Sequence, residues 1–374
     1  MFIQQVRQFG RNISNIDDHR RTSKNAIKKQ PVKKAVLPRA AASFSVYADC
    51  SKENQPPPGL TTAGKLPHQL AEHREPLKEI YSSPAEPMEQ EMEDCVMEDI
   101  EPLMSELDID SKDSHNPQFV SQYVQEIFDF LKQKEIDVMI NPESMKTIQN
   151  SVEPRHRDIL INWICEVYLQ LKLLSETLFL IVDIVDRLLS LRVVTKRKLH
   201  LVGIGAIMIA TKFEETYPPP LSDLQICSEN AYTDDEILRV ERVILNALDF
   251  NLCIPSPLMF LRRYSKAAES DSETHTLSKY IVELSVTSSS IIGQLPSHIA
   301  ASAVFLARRM RNEAPLWPVA FLHHAEVTPE EIYPCIVKLN ELLIEVSQKG
   351  TNAIYRKYSD KRLFSVSKIS PIPL

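Results

Sequence analysis

Residues 199–215 read Leu-His-Leu-Val-Gly-Ile-Gly-Ala-Ile-Met-Ile-Ala-Thr-Lys-Phe-Glu-Glu. From Leu201 to Ala210 the run is wholly apolar or glycine, with small residues at Gly203, Gly205, Ala206 and Ala210. It breaks off in Lys212-Phe213-Glu214-Glu215, and Pro218, Pro219 and Pro220 follow. A helix that is apolar on every side belongs at the centre of a bundle. Small residues let its neighbours approach closely, and the prolines stop it. Lys212 falls in the last turn, where its charge suits the helix dipole and its stem can lie along apolar surface. Taken alone, the run is a core helix ending in a snorkelling lysine.

The surrounding chain repeats the helical pattern. Apolar periodicity predicts segments near 154–172, 176–192, 196–214, 220–229 and 233–249, and a second set near 256–268, 274–291, 296–312, 316–325 and 329–347. The third segment of each set is apolar and alanine-rich: Ala206, Ile209 and Ala210 in one, Ala300, Ala303, Val304 and Ala307 in the other. This weak repeat, with a period of about 95 residues, argues for two five-helix bundles in tandem. Ahead of them, Tyr123, Ile127, Phe130 and Leu131 share one face of a further amphipathic helix, with order expected from about Phe119.

The first 115 residues show no sustained period. Residues 1–60 carry 11 Lys+Arg against 4 Asp+Glu, and residues 61–115 carry 4 against 15. A basic tail followed by an acidic tract reads as a disordered regulatory segment.

Composition excludes much chemistry. Only 7 glycines occur in the 374 residues, and neither G-x-G-x-x-G nor a Walker pattern is present, so a phosphate-cradling loop is not expected. There is no G-x-S-x-G. His68-Gln-Leu-Ala-Glu72-His73 has one residue too many for H-x-x-E-H, and His323 and His324 are adjacent, so they point apart on a helix. The six cysteines form no C-x-x-C and complete no zinc spacing, so they read as reduced thiols; no metal and no cofactor is expected. The apolar stretch around 201–210 is too short for a membrane span, and a soluble intracellular protein is expected.

On helix 155–171, Asp158, Asn162, Glu166 and Gln170 form one polar stripe, while Ile159, Leu160, Ile161, Trp163, Ile164 and Val167 are apolar. More than one apolar face leaves two readings: a central helix, or one with a second, exposed face for a partner. Arg157 and Asp186 are charges among apolar neighbours, which calls for partners. So are Lys212 and Glu241, the latter within Ile-Leu-Arg-Val-Glu-Arg-Val-Ile-Leu; a salt bridge that merely fixes two helices would account for them.

Spaced motifs sharpen this reading. The chain has H-R-D-I-L-I-N-W-I-C-E-V from His156, D-R-L-L from Asp186, K-L-H-L-V-G from Lys198 and A-T-K-F-E-E-T-Y-P-P from Ala210. In this order they resemble the cyclin box. F-L-R-R-Y-S-K from Phe260 and H-T-L-S-K-Y-I-V-E-L from His275 look like the B-type mitotic cyclins, with the A-type as the alternative. The resemblance spans about residues 119–374. It implies an all-α fold: residues 116–253 as N-terminal helix and first cyclin box, 254–350 as a second cyclin fold, 351–374 as a C-terminal tail, and 1–115 as the disordered tail.

The resemblance also implies a function: a non-catalytic subunit that binds and activates a cyclin-dependent kinase at the G2/M transition. Lys212 and Glu241 match the family pair that reaches the kinase, with Phe213, Leu245, Leu252, Ile127 and Phe130 matching its apolar contacts. His156, Ile159, Leu160, Trp163, Glu166 and His200 match the patch that docks R-x-L motifs of substrates or inhibitors. Two of these depart from the pattern: His156 stands where Met is usual, which shrinks the apolar groove, and His200 stands where Gln is commoner. Arg157 and Asp186 match a structural ion pair.

In the tail, Lys52-Glu53-Asn54 spells a KEN box. Arg74-Glu-Pro-Leu77-Lys-Glu-Ile80 fits the destruction-box core, with Ser82 in place of the usual Asn. Both imply recognition by the anaphase-promoting ubiquitin ligase. The basic cluster Arg20, Arg21, Lys28, Lys29, Lys33 and Lys34 has two readings, a bipartite nuclear-import signal or a generic basic tail, and the expected location is nucleus and cytoplasm. A general transcription factor related to TFIIB would use the same fold on DNA. A pI near 5.9 and the lack of ribbon cysteines argue against it, so no nucleic-acid partner is expected.

Overall fold

The computed structural model describes residues 107–372. Among these lie thirteen α-helices and no strand. In chain order they are α1 (Val124–Asp137), α2 (Ser144–Ile148), α3 (Pro154–Leu171), α4 (Ser175–Leu191), α5 (Lys196–Glu214), α6 (Leu221–Cys227) and α7 (Asp234–Ala247). Then come α8 (Pro257–Ala267), α9 (Ser272–Ser285), α10 (Pro296–Met310), α11 (Val319–Ala325), α12 (Tyr333–Lys349) and α13 (Ala353–Tyr358).

The stretch from Leu199 to Thr211 forms the axis of the first bundle, α5, with Val202 to Thr211 all buried. It packs against α3, α4 and α7. Its two glycines mark the closest approaches. A Cβ on Gly203 would lie 2.9 Å from Leu160 Cδ1, and one on Gly205 would lie 2.7 Å from Val240 Cγ1 and 2.9 Å from Ile244 Cδ1. Absent side chains therefore let α3 and α7 close on opposite parts of the same helix. In the second bundle the alanine-rich α10 holds the equivalent place, against α8, α9 and α12. The internal repeat thus corresponds to two central helices.

Helix ends follow local chemistry. Pro154 occupies the first turn of α3, and the Glu153 N–H donates to His156 Nδ1 (2.9 Å) in a capping box. Thr233 and Glu236 cap α7 reciprocally. Three boundaries differ from the periodic reading. Helix α9 stops at Ser285, because the serine- and threonine-rich run after it bonds its own backbone: Thr287 Oγ1 donates to Leu284 O (2.8 Å), and Ser288 Oγ accepts from Ser290 N–H (3.3 Å). Helices α11 and α12 start late, just after Pro318 and with Pro334 in the first turn, respectively.

Residues 351–372, read as part of a C-terminal tail, and 107–113, read as the end of the N-terminal one, pack on the body. Within 351–374, α13 buries Ile354 and Tyr358, Val366 is buried beyond it, and the helix packs on α3 and α9. Lys357 is held there by Glu283, whose carboxylate is fully buried (2.6 Å). At the other end, the ordered chain begins before Phe119: Asp110 pairs with Arg263 (3.0 Å), and Asp113 with Lys266 (2.5 Å).

Arg157, at the start of α3, ties the bundles together. Its Nε and Nη2 donate to the two carboxylate oxygens of Asp186 (2.9 and 2.7 Å), and its Nη1 donates to Val286 O (2.7 Å) after α9. Asp158 accepts from Ser289 N–H (2.8 Å) and Ser289 Oγ (2.9 Å). The expected ion pair therefore exists, and its arginine also reaches into the second bundle.

Candidate functional site

Lys212 and Glu241 meet on the surface where α5 ends beside α7. Lys212 Nζ donates to Glu241 Oε1 at 2.6 Å. The lysine side chain is 49% exposed and the glutamate 13%. Lys212 sits in the last turn of α5, where the helix dipole favours a cation. The end of α5 is fixed by Glu215, whose Oε1 accepts from Leu174 N–H (2.7 Å) and Thr177 Oγ1 (2.6 Å) at the start of α4.

Around the pair lies apolar surface. Phe213 is half exposed, and Phe250 and Val243 are exposed as well. Leu245 and Leu252 are partly buried against the core. On α1, Ile127 is exposed and Phe130 is 65% exposed. Phe130, Phe213 and Leu252 line one groove of about 380 Å³, along with Phe179 and Met259. Asp183 also lines it; burial pushes its carboxyl up to about 7, opposed by the Arg187 guanidinium 3.5 Å away. Monomeric surfaces seldom carry so many large apolar side chains without a partner to cover them.

The second expected site comes together differently. Leu160 is wholly buried and Trp163 is 5% exposed, whereas Ile159 is 39% exposed. Of the two readings of this helix, burial places Leu160 and Trp163 with the central one and leaves Ile159 on the surface. Leu160 presses on Gly203, and the Trp163 ring lies against His200 edge-on, centroids 4.3 Å apart. His200 Nδ1 is 3.3 Å from the Tyr232 hydroxyl, and burial pushes the imidazole down to about 4. His156 is half-buried and serves as the capping residue of α3; burial, then the Lys196 charge, lowers its pKa. Glu166 pairs with Arg356 of α13. Of Ile159, Leu160 and Trp163, Ile159 alone is exposed.

The KEN box at Lys52, Glu53 and Asn54, the destruction-box match at Arg74, Leu77 and Ile80, and the basic cluster lie outside the described residues. No group of three or more potential metal ligands occurs among the described residues, and no helix there is long and apolar enough to cross a membrane. Two polar constellations escaped the sequence reading. One is Glu283 with Ser175 and Lys357 (2.7 and 2.6 Å); a lone glutamate in Tyr-Ile-Val-Glu-Leu was its only signal. The other is Arg263 with Asp110 and His324.

Comparison with known proteins gives the family. Residues 126–253 match the family model "Cyclin, N-terminal domain", and residues 255–372 match "Cyclin, C-terminal domain". A G2/mitotic-specific cyclin-B of Dictyostelium discoideum is 41% identical over 70% of this chain and 60% of its own length. Cyclin-B2-1 of Oryza sativa subsp. japonica is 37% identical over 71% and 63%. The match thus spans less than two thirds of those relatives. It is longer with the G2/mitotic-specific cyclin-B2 of Oryzias javanicus, which is 34% identical over 80% of both chains. The X-ray structure of a viral cyclin from herpesvirus saimiri shares the fold, with a TM-score of 0.53 and 20% identity over 58% of this chain and 96% of that one. Two family models in tandem, and relatives alike in being B-type, carry the conclusion that this chain belongs to the cyclin family, among its B-type members.

Proposed function

We propose that this cyclin is the regulatory subunit of a cyclin-dependent serine/threonine kinase, with no catalysis of its own, and that it drives the G2/M transition. The observation that carries the reading is the Lys212–Glu241 pair at 2.6 Å, next in the chain to exposed Phe213, which lines one groove with Phe130 and Leu252. A pair that only fixed two helices would not need such a surround of uncovered apolar surface. Docked there, the kinase's regulatory helix would bury this surface and meet Lys212 at its backbone. Because the cyclin binds the active kinase conformation better than the inactive one, binding shifts the kinase population toward the former. That completes the Lys–Glu pair in the kinase that positions ATP phosphates.

Substrates or inhibitors with R-x-L motifs would dock at Ile159, flanked by His156 and His200. The narrow apolar surface there favours weak docking. Destruction by the anaphase-promoting ubiquitin ligase would act through the KEN and destruction-box matches; two weak motifs on one chain raise each other's effective concentration. The basic cluster would serve nuclear import, giving a protein of nucleus and cytoplasm. Co-purification from mitotic cells followed by identification of the bound kinase tests the central reading. Recovery with DNA and without a kinase would point to the transcription-factor use of the fold instead.

A further inference from the structure

Every side-chain hydrogen bond and ion pair that leaves α1, among the described residues, runs to the second bundle. Glu135 accepts from Ser297 N–H (2.8 Å) and Ser297 Oγ (2.5 Å). Lys132 donates to His324 O (3.3 Å) and pairs with Glu326 (2.8 Å). Phe128 meets the Phe260 ring edge-on, and the Arg263 guanidinium lies 4.9 Å from the Phe128 ring centroid. So α1, which carries Ile127 and Phe130 toward the first bundle's exposed face, takes its polar anchorage from the other bundle.

Arg263 is where these ties converge. Its side chain is almost wholly buried. Two of its nitrogens donate to the two oxygens of Asp110 (3.3 and 3.0 Å), and Nη2 lies 3.2 Å from His324 Nδ1. His324 Nε2 is 2.9 Å from Leu107 O, so that nitrogen donates and Nδ1 is free to accept from the guanidinium. Lys266 adds a second cation to Asp110 (3.2 Å) and holds Asp113 (2.5 Å). The strap 107–113, α1, α8 and α11 therefore meet at one guanidinium, and Asp110 is the carboxylate that neutralises it.

We infer that Asp110 and Arg263 form a clasp that sets the pose of α1 and so positions Ile127 and Phe130 for the kinase. The inference rests on the interface reading above. Its physical basis is that a buried guanidinium deprived of its carboxylate is an uncompensated charge, which favours rearrangements that bring it to water. That withdraws the cation stacked on Phe128. A fourteen-residue helix with Ile127, Phe130 and Ile136 exposed has little stability of its own, so its orientation is set by what it packs on. Arg263 and Asp110 would touch no kinase atom; they are positioning residues.

The test is a pair of double-mutant cycles on the full chain, read as kinase affinity. Asp110→Asn keeps the strap's shape and removes the charge. With Ile127 and Phe130 present it is expected to weaken kinase binding about 5-fold, within the coupling range for residues in one network. In a background carrying both Ile127→Ala and Phe130→Ala it should add almost nothing, whereas in a Lys212→Ala background it should weaken binding by the full factor. Amide hydrogen exchange should accelerate in α1 and stay unchanged in α5. Equal weakening in both backgrounds, or wild-type affinity for Asp110→Asn while both backgrounds are themselves impaired, would overturn the clasp and leave the interface standing. Wild-type binding by both backgrounds would overturn the interface reading, and the clasp with it.

Discussion

Lys212 and Glu241 are joined at 2.6 Å, yet they are unequally exposed: the lysine side chain is 49% open and the glutamate 13%. The asymmetry separates two roles. The pair is open on the lysine side, and the carboxylate left when the lysine is removed can hydrate through that opening, so the pair contributes little to folding, whatever it contributes at an interface. Exposed pairs are typically worth about 0–1 kcal/mol. Lys212→Ala should therefore unfold in urea within about 1 kcal/mol of the parent. A much larger loss would make the pair a structural brace.

Arg157 is the opposite case. Its guanidinium is buried and answers to Asp186, Asp158 and Val286 O in two bundles. Removing one partner of such a pair leaves an uncompensated buried charge, at a cost of about 3–5 kcal/mol. Arg157→Met should lose that much in equilibrium unfolding. Arg157→Met with Asp186→Leu should recover part of it, since Asp186 then no longer stands as a lone buried carboxylate and Asp158 keeps its bonds to Ser289. If the double variant is no better than the single, the cost lies in packing and not in charge.

The two glycines of α5 should differ. At Gly203 the obstructing atom is the tip of Leu160, which can give way, and alanine's better helix propensity of about 1 kcal/mol offsets the crowding. At Gly205 the added methyl meets the branched Val240 at 2.7 Å and Ile244 at 2.9 Å. Gly205→Ala should destabilise by about 1–3 kcal/mol. Gly203→Ala should lie near zero. Thermal unfolding of the two variants checks the order, and a reversal would mean that α3, not α7, makes the tighter contact.

How far these features were legible in the sequence differs from residue to residue. The unbroken apolar run with its glycines announced α5 as a central helix, and the second alanine-rich run announced α10. Helix α3 was ambiguous for a physical reason: apolar residues on two faces are needed equally by a central helix and by one with a docking face, and only packing distinguishes them. Packing assigned Leu160 and Trp163 to the interior and left Ile159 outside. Asp110 and Arg263 are 153 residues apart, and Glu283 and Lys357 are 74 apart. Pairs so distant leave no periodic trace. For the same reason α13, a helix of six residues stabilised by Glu283 and by the burial of Tyr358, looked like a tail.

His200 gives the molecule a pH dependence of defined sign. An unperturbed histidine titrates near 6.5, and burial lowers this one to about 4. The unfolded chain thus takes up the proton first. The stability carried by the neutral ring is complete above about pH 6.5 and is lost as the pH falls toward 4. His156, His275, His298 and His324 are lowered by burial too and act in the same direction. His200→Gln should therefore flatten, without abolishing, the fall in unfolding free energy between pH 7 and pH 5, by about 2 kcal/mol. An unchanged slope would mean that the ring is protonated in the folded state.

The central claim is that the Lys212 surface activates a kinase. The most direct measurement is a titration of a purified, inactive cyclin-dependent kinase with the full chain and with Lys212→Ala, read as phosphate transfer to a short peptide without an R-x-L motif. The wild-type chain should switch the kinase on with saturation. Lys212→Ala, folded to within about 1 kcal/mol of the parent, should fall at least tenfold short at equal concentration. Activation by Lys212→Ala along the wild-type curve would contradict the account, because the pair would then join two helices and nothing more.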